Sequence, residues 1–502
     1  MRSNEHKMQE PILIQRAREH KDATAIVTGT KSHSYAELLS RSASIAACLL
    51  ENESDLSEDR IAYLMPASFE YTSTQWAIWR AGGIAVPLSL SATEPELEYT
   101  LTDSDVTCLV TNRELAPGVH SLCGRLNLRL VIEEDIESAA EPQLPDIAAD
   151  RRAMILYTSG TTSKPKGVVS THANIQFQIE TLVQAWEWSD ADCIPLFLPL
   201  HHIHGIINVM SCALWSGASF EPFAKFDMDA ILERVSVDAY TVFMAVPTIY
   251  VRMIETLNAK PERERQPILD GFAKLRFMVS GSAALPASVH EQWTNLTSQR
   301  LLERYGMTEI GMALSNPYNG ERRAGAVGQP LPGVEIQLVS ESGDVVTDDQ
   351  VPGEIQVRGP AVFLEYWDKP QVTADSFTDG WFRTGDMAVR DDGYLRIMGR
   401  QSVDIIKSGG YKLSALEIES ALLDHPAISE CAIVGLPDET WGECVAAAIV
   451  SPKEQTLTLE QLKQSCENRI SKYKVPKKLK IVDKLPRNAM GKVTKPRVSE
   501  LF

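Results

Sequence analysis

Residues 155 to 169, ILYTSGTTSKPKGVV, run from an apolar segment into small hydroxyl residues, Gly160, two lysines and Gly167. Small hydroxyl residues and glycine let backbone N–H groups and Oγ atoms close around phosphate oxygens, and Lys164 and Lys166 add positive charge. The stretch is not a Walker A loop. Counted from Gly160, G-x-x-x-x-G-K-[ST] needs a second glycine where Pro165 stands, and Lys166 is followed by Gly167 rather than Ser or Thr. A flexible linker is the plainer alternative, but linkers rarely follow directly on a buried-strand pattern and lead into KGVV.

A second stretch, AVPTIYVRMIE at 245 to 255, sets one guanidinium, Arg252, among apolar residues. AYTVFMAV (239 to 246) reads as a buried strand, and Pro247 suits the first turn of a helix. Ile249, Met253, Ile254 and Leu257 then share one helix face. Arg252 stands about 7.5 Å along the axis from the proline, and helical side chains lean toward the N-terminus. It can therefore reach the carboxyl end of the strand, where open α/β sheets tend to bind ligands. A buried guanidinium without an anion is costly. Its partner is either Glu255 or solvent on one reading, or a ligand carboxylate held bidentately on the other.

The elements that position these residues are α/β. Strand-length apolar runs such as IAYLMPAS and MILYTSGTT alternate with amphipathic segments such as HANIQFQIETLVQAW, which predicts layers of helices on largely parallel buried strands. From about 320 to 400 the texture changes to short strands broken by glycine turns (GEIQVRG, DGYLRIMGR), a mostly antiparallel β subdomain. Further α+β elements follow Arg400. The expected division is a large N-terminal domain, 1–400, and a small C-terminal domain, 401–502, as the length of 502 residues requires more than one core.

With 49 Lys+Arg against 67 Asp+Glu the net charge is −18, which repels nucleic acid and anionic membrane and favours small-molecule substrates. The eight cysteines show no C-x-x-C pair and no metal-ligand spacing, consistent with reduced thiols. No window reaches a membrane span. Glu5 and Glu10 disfavour a mitochondrial transit peptide, so a cytoplasmic protein is expected.

YTSGTTSKPKG resembles the signature loop of the adenylate-forming superfamily, which comprises acyl-CoA synthetases, luciferases and peptide-synthetase adenylation domains. Further matches stand in the family's order: RYGMTE (304 to 309), GWFRTGD (380 to 386), DGYLRIMGR (392 to 400), GGYKLSALEIE (409 to 419) and PRNAMGK (486 to 492). The resemblance implies that Thr158, Ser159, Gly160, Thr161, Thr162, Ser163, Lys164 and Lys166 hold the β and γ phosphates of ATP. Ser163 departs from the glycine common in the loop. Tyr305 is implied to stack on adenine, with Gly306, Met307 and Gly281 lining the nucleotide. Thr308 is implied to bond the α-phosphate, Asp386 and Arg400 to bind ribose, and Glu309 to hold Mg²⁺. Lys492 is the implied catalytic lysine of a mobile small domain, which turns about a hinge at Ser402, where relatives often carry Asp or Lys. After that turn Lys407, Gly409, Gly410 and Tyr411 are implied to face the site for transfer to coenzyme A. The basic run SKYKVPKKLK (471 to 480) either attracts CoA phosphates or is a solvated face.

For the acid, His202 in FLPLHHIHGI aligns with the aromatic gate of acyl-CoA synthetases. The texts AVPTIYVR, VSGSAALP and ERYGMTE resemble malonyl-CoA synthetases, which implies that Arg252, Ser282 and Arg304 bind a distal carboxylate. The expectation is an AMP-forming malonate:CoA ligase using ATP, Mg²⁺ and CoA. The alternative is a ligase for another short dicarboxylate or for a monocarboxylic acid.

Overall fold

The computed structural model describes residues 10–29, 31–138, 143–158, 164–408, 411–423, 425–451, 457–466, 470–487 and 493–502. Its large N-terminal part is built on three sheets. A seven-stranded sheet runs in the order Glu365–Tyr366, Lys166–Thr171, Arg152–Thr158, Ile84–Pro87, Arg60–Leu64, Cys108–Thr111, Arg129–Ile132. The five strands from Arg152–Thr158 onward are mutually parallel, as the apolar runs predict, while the first two are antiparallel additions. Strands buried on both faces need helices on both sides, and Trp76, Trp79 and Tyr71 of the helix Phe69–Arg80 are fully buried there.

A second sheet carries Val242–Ala245, Phe277–Ser280 and Leu302–Met307 in parallel, followed by antiparallel Gly311–Ser315 and Gln329–Pro330. The helix Pro247–Ala259 starts on its proline and buries Tyr250, Met253, Ile254 and Leu257. Tyr250 also donates to the carbonyl of Val279 at 2.7 Å, which ties helix to sheet. A third sheet pairs Lys31–Ser34, Thr24–Thr28, Ser219–Pro222 and Cys193–Leu196.

The β subdomain is a six-stranded antiparallel sheet including Gly353–Arg358, Trp381–Asp391 and Tyr394–Arg400. The small C-terminal domain follows. Its sheet orders Tyr411–Ser414, Ile405–Ser408, Gly442–Val450 and Glu430–Asp438, with Lys478–Ile481 parallel to Gly442–Val450, and it holds two apolar clusters of its own. Met387, Val389 and Met398 of the β subdomain pack with Ile405 across the junction. Among the described residues no cysteine is in a disulfide. Among the described residues no helix is long and apolar enough to cross a membrane.

Candidate active site

The TSGTTSKPK stretch is flanked by two paired strands. Strands Arg152–Thr158 and Lys166–Thr171 pair antiparallel with Thr158 opposite Lys166. Ser159, Gly160, Thr161, Thr162 and Ser163 lie outside the described residues. The hairpin runs straight into the helix His172–Ala185 because Thr171 and Asn174 form a reciprocal capping box. Its returning arm is anchored by Tyr99, which donates to the carbonyl of Pro165 at 2.8 Å and offers its ring to the Lys164 ammonium at 5.3 Å. Asp103 accepts from Tyr157 at 2.8 Å and pairs with Lys369 at 3.0 Å, binding the outgoing arm to the same corner. Lys166 lies 4.8 Å over the ring of Tyr366, whose hydroxyl donates to Glu309 at 2.9 Å.

RYGMTE leaves the strand Leu302–Met307 and turns back at Thr308 and Glu309. Gly306 is required there, because a Cβ on it would stand 2.2 Å from the carbonyl oxygen of Gly311. Tyr305 donates to Asp386 Oδ2 at 2.6 Å, and Arg400 faces Asp386 Oδ1 at 3.4 Å across the strand pair that sets Asp386 opposite Arg400. Tyr305, Asp386 and Arg400 are thus one group. Burial pushes the Asp386 and Glu309 carboxyls above the usual range, only partly offset by the tyrosine hydroxyl that each accepts. Glu309, 6% exposed, accepts from Tyr366 on one oxygen. Among the described residues no group of three or more acidic, His or Cys side chains forms a closed metal cage. The fit is to Mg²⁺ bound through one carboxylate together with substrate phosphates, its common mode.

Of the alternatives open for Arg252, the pairing with Glu255 is not formed: Arg252 is exposed, lies 5.3 Å over the ring of Phe226, and makes no ion pair with Glu255. The guanidinium buried without an acid is that of Arg304, 4% exposed, on the central strand Leu302–Met307. It donates to Ser282 Oγ at 3.3 Å, its Nε has no partner, and no carboxylate among the described residues pairs with it. Burial pushes its pKa down to about 9. Gly281 allows this approach, since a Cβ there would stand 2.6 Å from the Arg304 guanidinium. Ser282 holds a left-handed φ of +68°, uncommon for a residue with a Cβ. Its hydroxyl also meets His204 Nδ1 at 3.2 Å.

His204 opens a π-helix, His204–Ser211, whose residues are all buried. Such helices are rare and occur often at functional sites. Burial, with Arg304 and His202 nearby, drives the His204 imidazole well below its ordinary pKa, so it is neutral. His202 is half-buried, with its ring 4.2 Å from that of His201.

In the small domain Lys492, Gly409 and Gly410 lie outside the described residues. Ser402 is exposed in the turn after Arg400. Lys407 pairs with Glu341 at 3.0 Å, and Tyr411 stacks on Tyr473 at 4.5 Å. The basic run is partly neutralised, since Lys474 pairs with Glu417 at 2.5 Å.

Sequence reasoning missed His204, Tyr99, Asp103, Lys369 and Tyr366. A third histidine in HHIHG marked the first of these, but nothing in the linear text relates Tyr99 or Tyr366 to loops 66 and 57 positions away from them.

The AMP-binding enzyme family model matches residues 13–367, and the model of the AMP-binding enzyme C-terminal domain matches residues 417–492. The mitochondrial malonate–CoA ligase of Mus musculus is 42% identical over 524 residues, covering 97% of this chain and 89% of its own. The crystal structure of ATP-bound MatB from Rhodopseudomonas palustris superposes with a TM-score of 0.87 at 34% identity, covering 98% of this chain and 99% of that one. O-succinylbenzoate coenzyme A synthetase of Bacillus subtilis, in complex with ATP and magnesium ion, reaches a TM-score of 0.85 at 27% identity over 98% of this chain and 99% of its own. With both family models matched in order along one chain, and the tyrosine, aspartate and arginine of its motifs in contact, the chain belongs to the AMP-binding enzyme family.

Proposed function

We propose that this chain is an ATP-dependent, AMP-forming malonate:CoA ligase that works through a malonyl-adenylate. The observation that carries the reading is Arg304. A buried cation with no acid beside it costs several kcal/mol, and this one bonds, among the described residues, only a serine hydroxyl that itself meets a neutral imidazole. The free carboxylate of a dicarboxylic acid offsets that cost with charge-assisted bonds, whereas the methyl of a monocarboxylic acid leaves it standing. The similarity to malonate–CoA ligases supports the acid's identity.

The chemistry follows from charge. A carboxylate is a poor acyl donor, so its oxygen first attacks the α-phosphorus of ATP, forming the mixed anhydride and releasing pyrophosphate. The thiolate of CoA then attacks the carbonyl carbon and AMP leaves. The first step brings anion to anion, and the protein must supply cations and oriented donors for it. We assign polyphosphate binding to the loop Thr158 to Lys166, adenine stacking to Tyr305, ribose binding to Asp386 and Arg400, and the α-phosphate bond to Thr308. Gly281, Gly306 and Met307 line the nucleotide. Glu309 would hold Mg²⁺, which supplies positive charge to the phosphates. Lys492 joins the reacting carboxylate to the α-phosphate. We assign the distal carboxylate to Arg252, Ser282 and Arg304, with His202 gating the pocket. We take 1–400 and 401–502 as the two domains and Ser402 as the hinge, with Lys407 to Tyr411 serving the thioester step.

The test is CoA-dependent AMP formation with malonate, methylmalonate, succinate, oxalate, acetate and butyrate. Malonate should give the highest kcat/KM; a preference for acetate or butyrate would sink the dicarboxylate reading.

A further inference from the structure

Three residues past Lys492, outside every motif used above, stands a lysine in a different setting. Lys495 is nearly buried, and its ammonium pairs with Asp404 Oδ1 at 2.6 Å and Glu419 Oε1 at 2.8 Å. Burial works against its charge, yet the two carboxylates hold its pKa above the ordinary value. Each carboxylate is itself fixed from a second side. Glu419 accepts the backbone N–H of Ile433 at 2.8 Å, and Asp404 Oδ2 accepts that of Arg400 at 3.0 Å.

Arg400 faces Asp386 of the nucleotide group at 3.4 Å. One carboxylate, Asp404, therefore bridges the end of the large domain's last strand and the segment just after Lys492. Gly399 makes room for it, since a Cβ there would stand 2.3 Å from the Cβ of Asp404. The described residues on either side of Lys492 form a neck: Arg487 bridges Val493, the N–H of Thr494 donates to the carbonyl of Pro486 at 2.9 Å, and Arg487 pairs with Glu430 at 2.7 Å.

We infer that Lys495 is a positioning residue for adenylation, its ion pairs with Asp404 and Glu419 tying the neck beside Lys492 to the backbone of Arg400. Lys495 stands three residues after Lys492 in the chain, so a charge held by two part-buried carboxylates limits where that stretch of chain can go. The cluster ties the neck to Arg400, and through Arg400 to the ribose carboxylate, so the reach of Lys492 is set relative to the nucleotide. The inference rests on the assignment of Lys492 under the proposed function, but not on malonate as the acid.

The test separates the two half-reactions in the full-length enzyme, with whichever acid the wild type adenylates. ATP–pyrophosphate exchange reads adenylation, and thioester formation from supplied acyl-adenylate and CoA reads transfer. The variants are the paired E419Q/K495M, which removes one charge of each sign, and K495R. Misplacing a catalytic group by about 1 Å can cost about 100-fold. Exchange by E419Q/K495M should therefore fall about 10- to 100-fold while transfer stays within about twofold, and K495R should recover most of the exchange.

A merely structural cluster would lower both half-reactions together with the folded fraction. That outcome, or unchanged exchange in E419Q/K495M, overturns the inference. K492A run alongside tells the two failures apart. If K492A loses exchange while E419Q/K495M keeps it, only Lys495 was misread. If K492A itself keeps exchange, the assignment of Lys492 falls and this inference with it.

Discussion

At the scale of single residues, the guanidinium buried without an acid is that of Arg304, while the more conspicuous Arg252 is exposed. Helix periodicity put Arg252 on the helix that begins at Pro247. It could not show that the side chain would leave the core and lie over Phe226. Arg304 sits inside a motif whose other members draw the eye to the nucleotide, and its burial follows only from the packing of a central strand against Gly281 and Ser282.

Ser282 allows a clean separation of strain from binding. Its φ of +68° costs a non-glycine residue about 1 kcal/mol. Ser282→Gly should therefore be more stable than Ser282→Ala by about 1 kcal/mol in urea unfolding, while both lose the hydroxyl and show the same rise in KM for the acid. Equal stabilities would mean that the strain is absent.

Asp386 carries a pH signature. Its carboxyl is raised in the fold by burial, so the folded state holds the proton more tightly than the unfolded chain. That contribution to stability is present below the unfolded pKa and is lost as pH rises through the folded one. Asp386→Asn should accordingly match the wild type in stability near pH 3 and exceed it at pH 7, while its KM for ATP rises at least tenfold. A variant destabilised at pH 7 would contradict the burial argument.

At the scale of elements, the strand before the TSGTT stretch, the proline-started helix and the antiparallel β subdomain were legible, because each is written in local signals of apolar runs, proline and glycine turns, whereas the antiparallel return strand Lys166–Thr171 was not. The π-helix was not. It depends on Gly205, where a Cβ would stand 2.8 Å from the carbonyl of Pro199 and 3.0 Å from that of Leu198, a contact made only once the loop before it has folded back. The corner formed by Tyr99, Asp103, Tyr157 and Lys369 was equally hidden, because it joins segments brought together by the seven-stranded sheet.

Tyr99→Phe removes one hydrogen bond to the phosphate-loop arm while keeping the ring under Lys164. A bond of this kind is worth about 0.5–1.5 kcal/mol, so KM for ATP should rise about 2- to 10-fold with kcat for adenylation little changed. An unchanged KM would show that the corner does not govern the loop.

At the scale of the molecule, two cores of unequal size meet at Ile405 and the buried charges around Asp404. The order of the motifs already implied this division. What the sequence could not supply is the wiring across the junction, where a single carboxylate serves backbone from one side and an ammonium from the other. If the small domain delivers Lys492 for the first half-reaction alone, Lys492→Ala should abolish adenylate formation yet transfer the acyl group from supplied malonyl-AMP to CoA. Loss of both steps alike would remove the lysine from its assigned role.

The most direct test of the dicarboxylate reading is the acid profile of Arg304→Met, measured as CoA-dependent AMP formation with malonate and with butyrate. Loss of a charge-assisted, bidentate anchor is worth about 3 kcal/mol. kcat/KM for malonate should therefore fall about 100-fold or more, butyrate should be used as well as or better than by the wild type, and Tm should hold or rise because a buried cation has been removed. A variant that keeps its malonate kcat/KM, or that loses malonate and butyrate in equal measure, would contradict the claim that Arg304 recognises the second carboxylate.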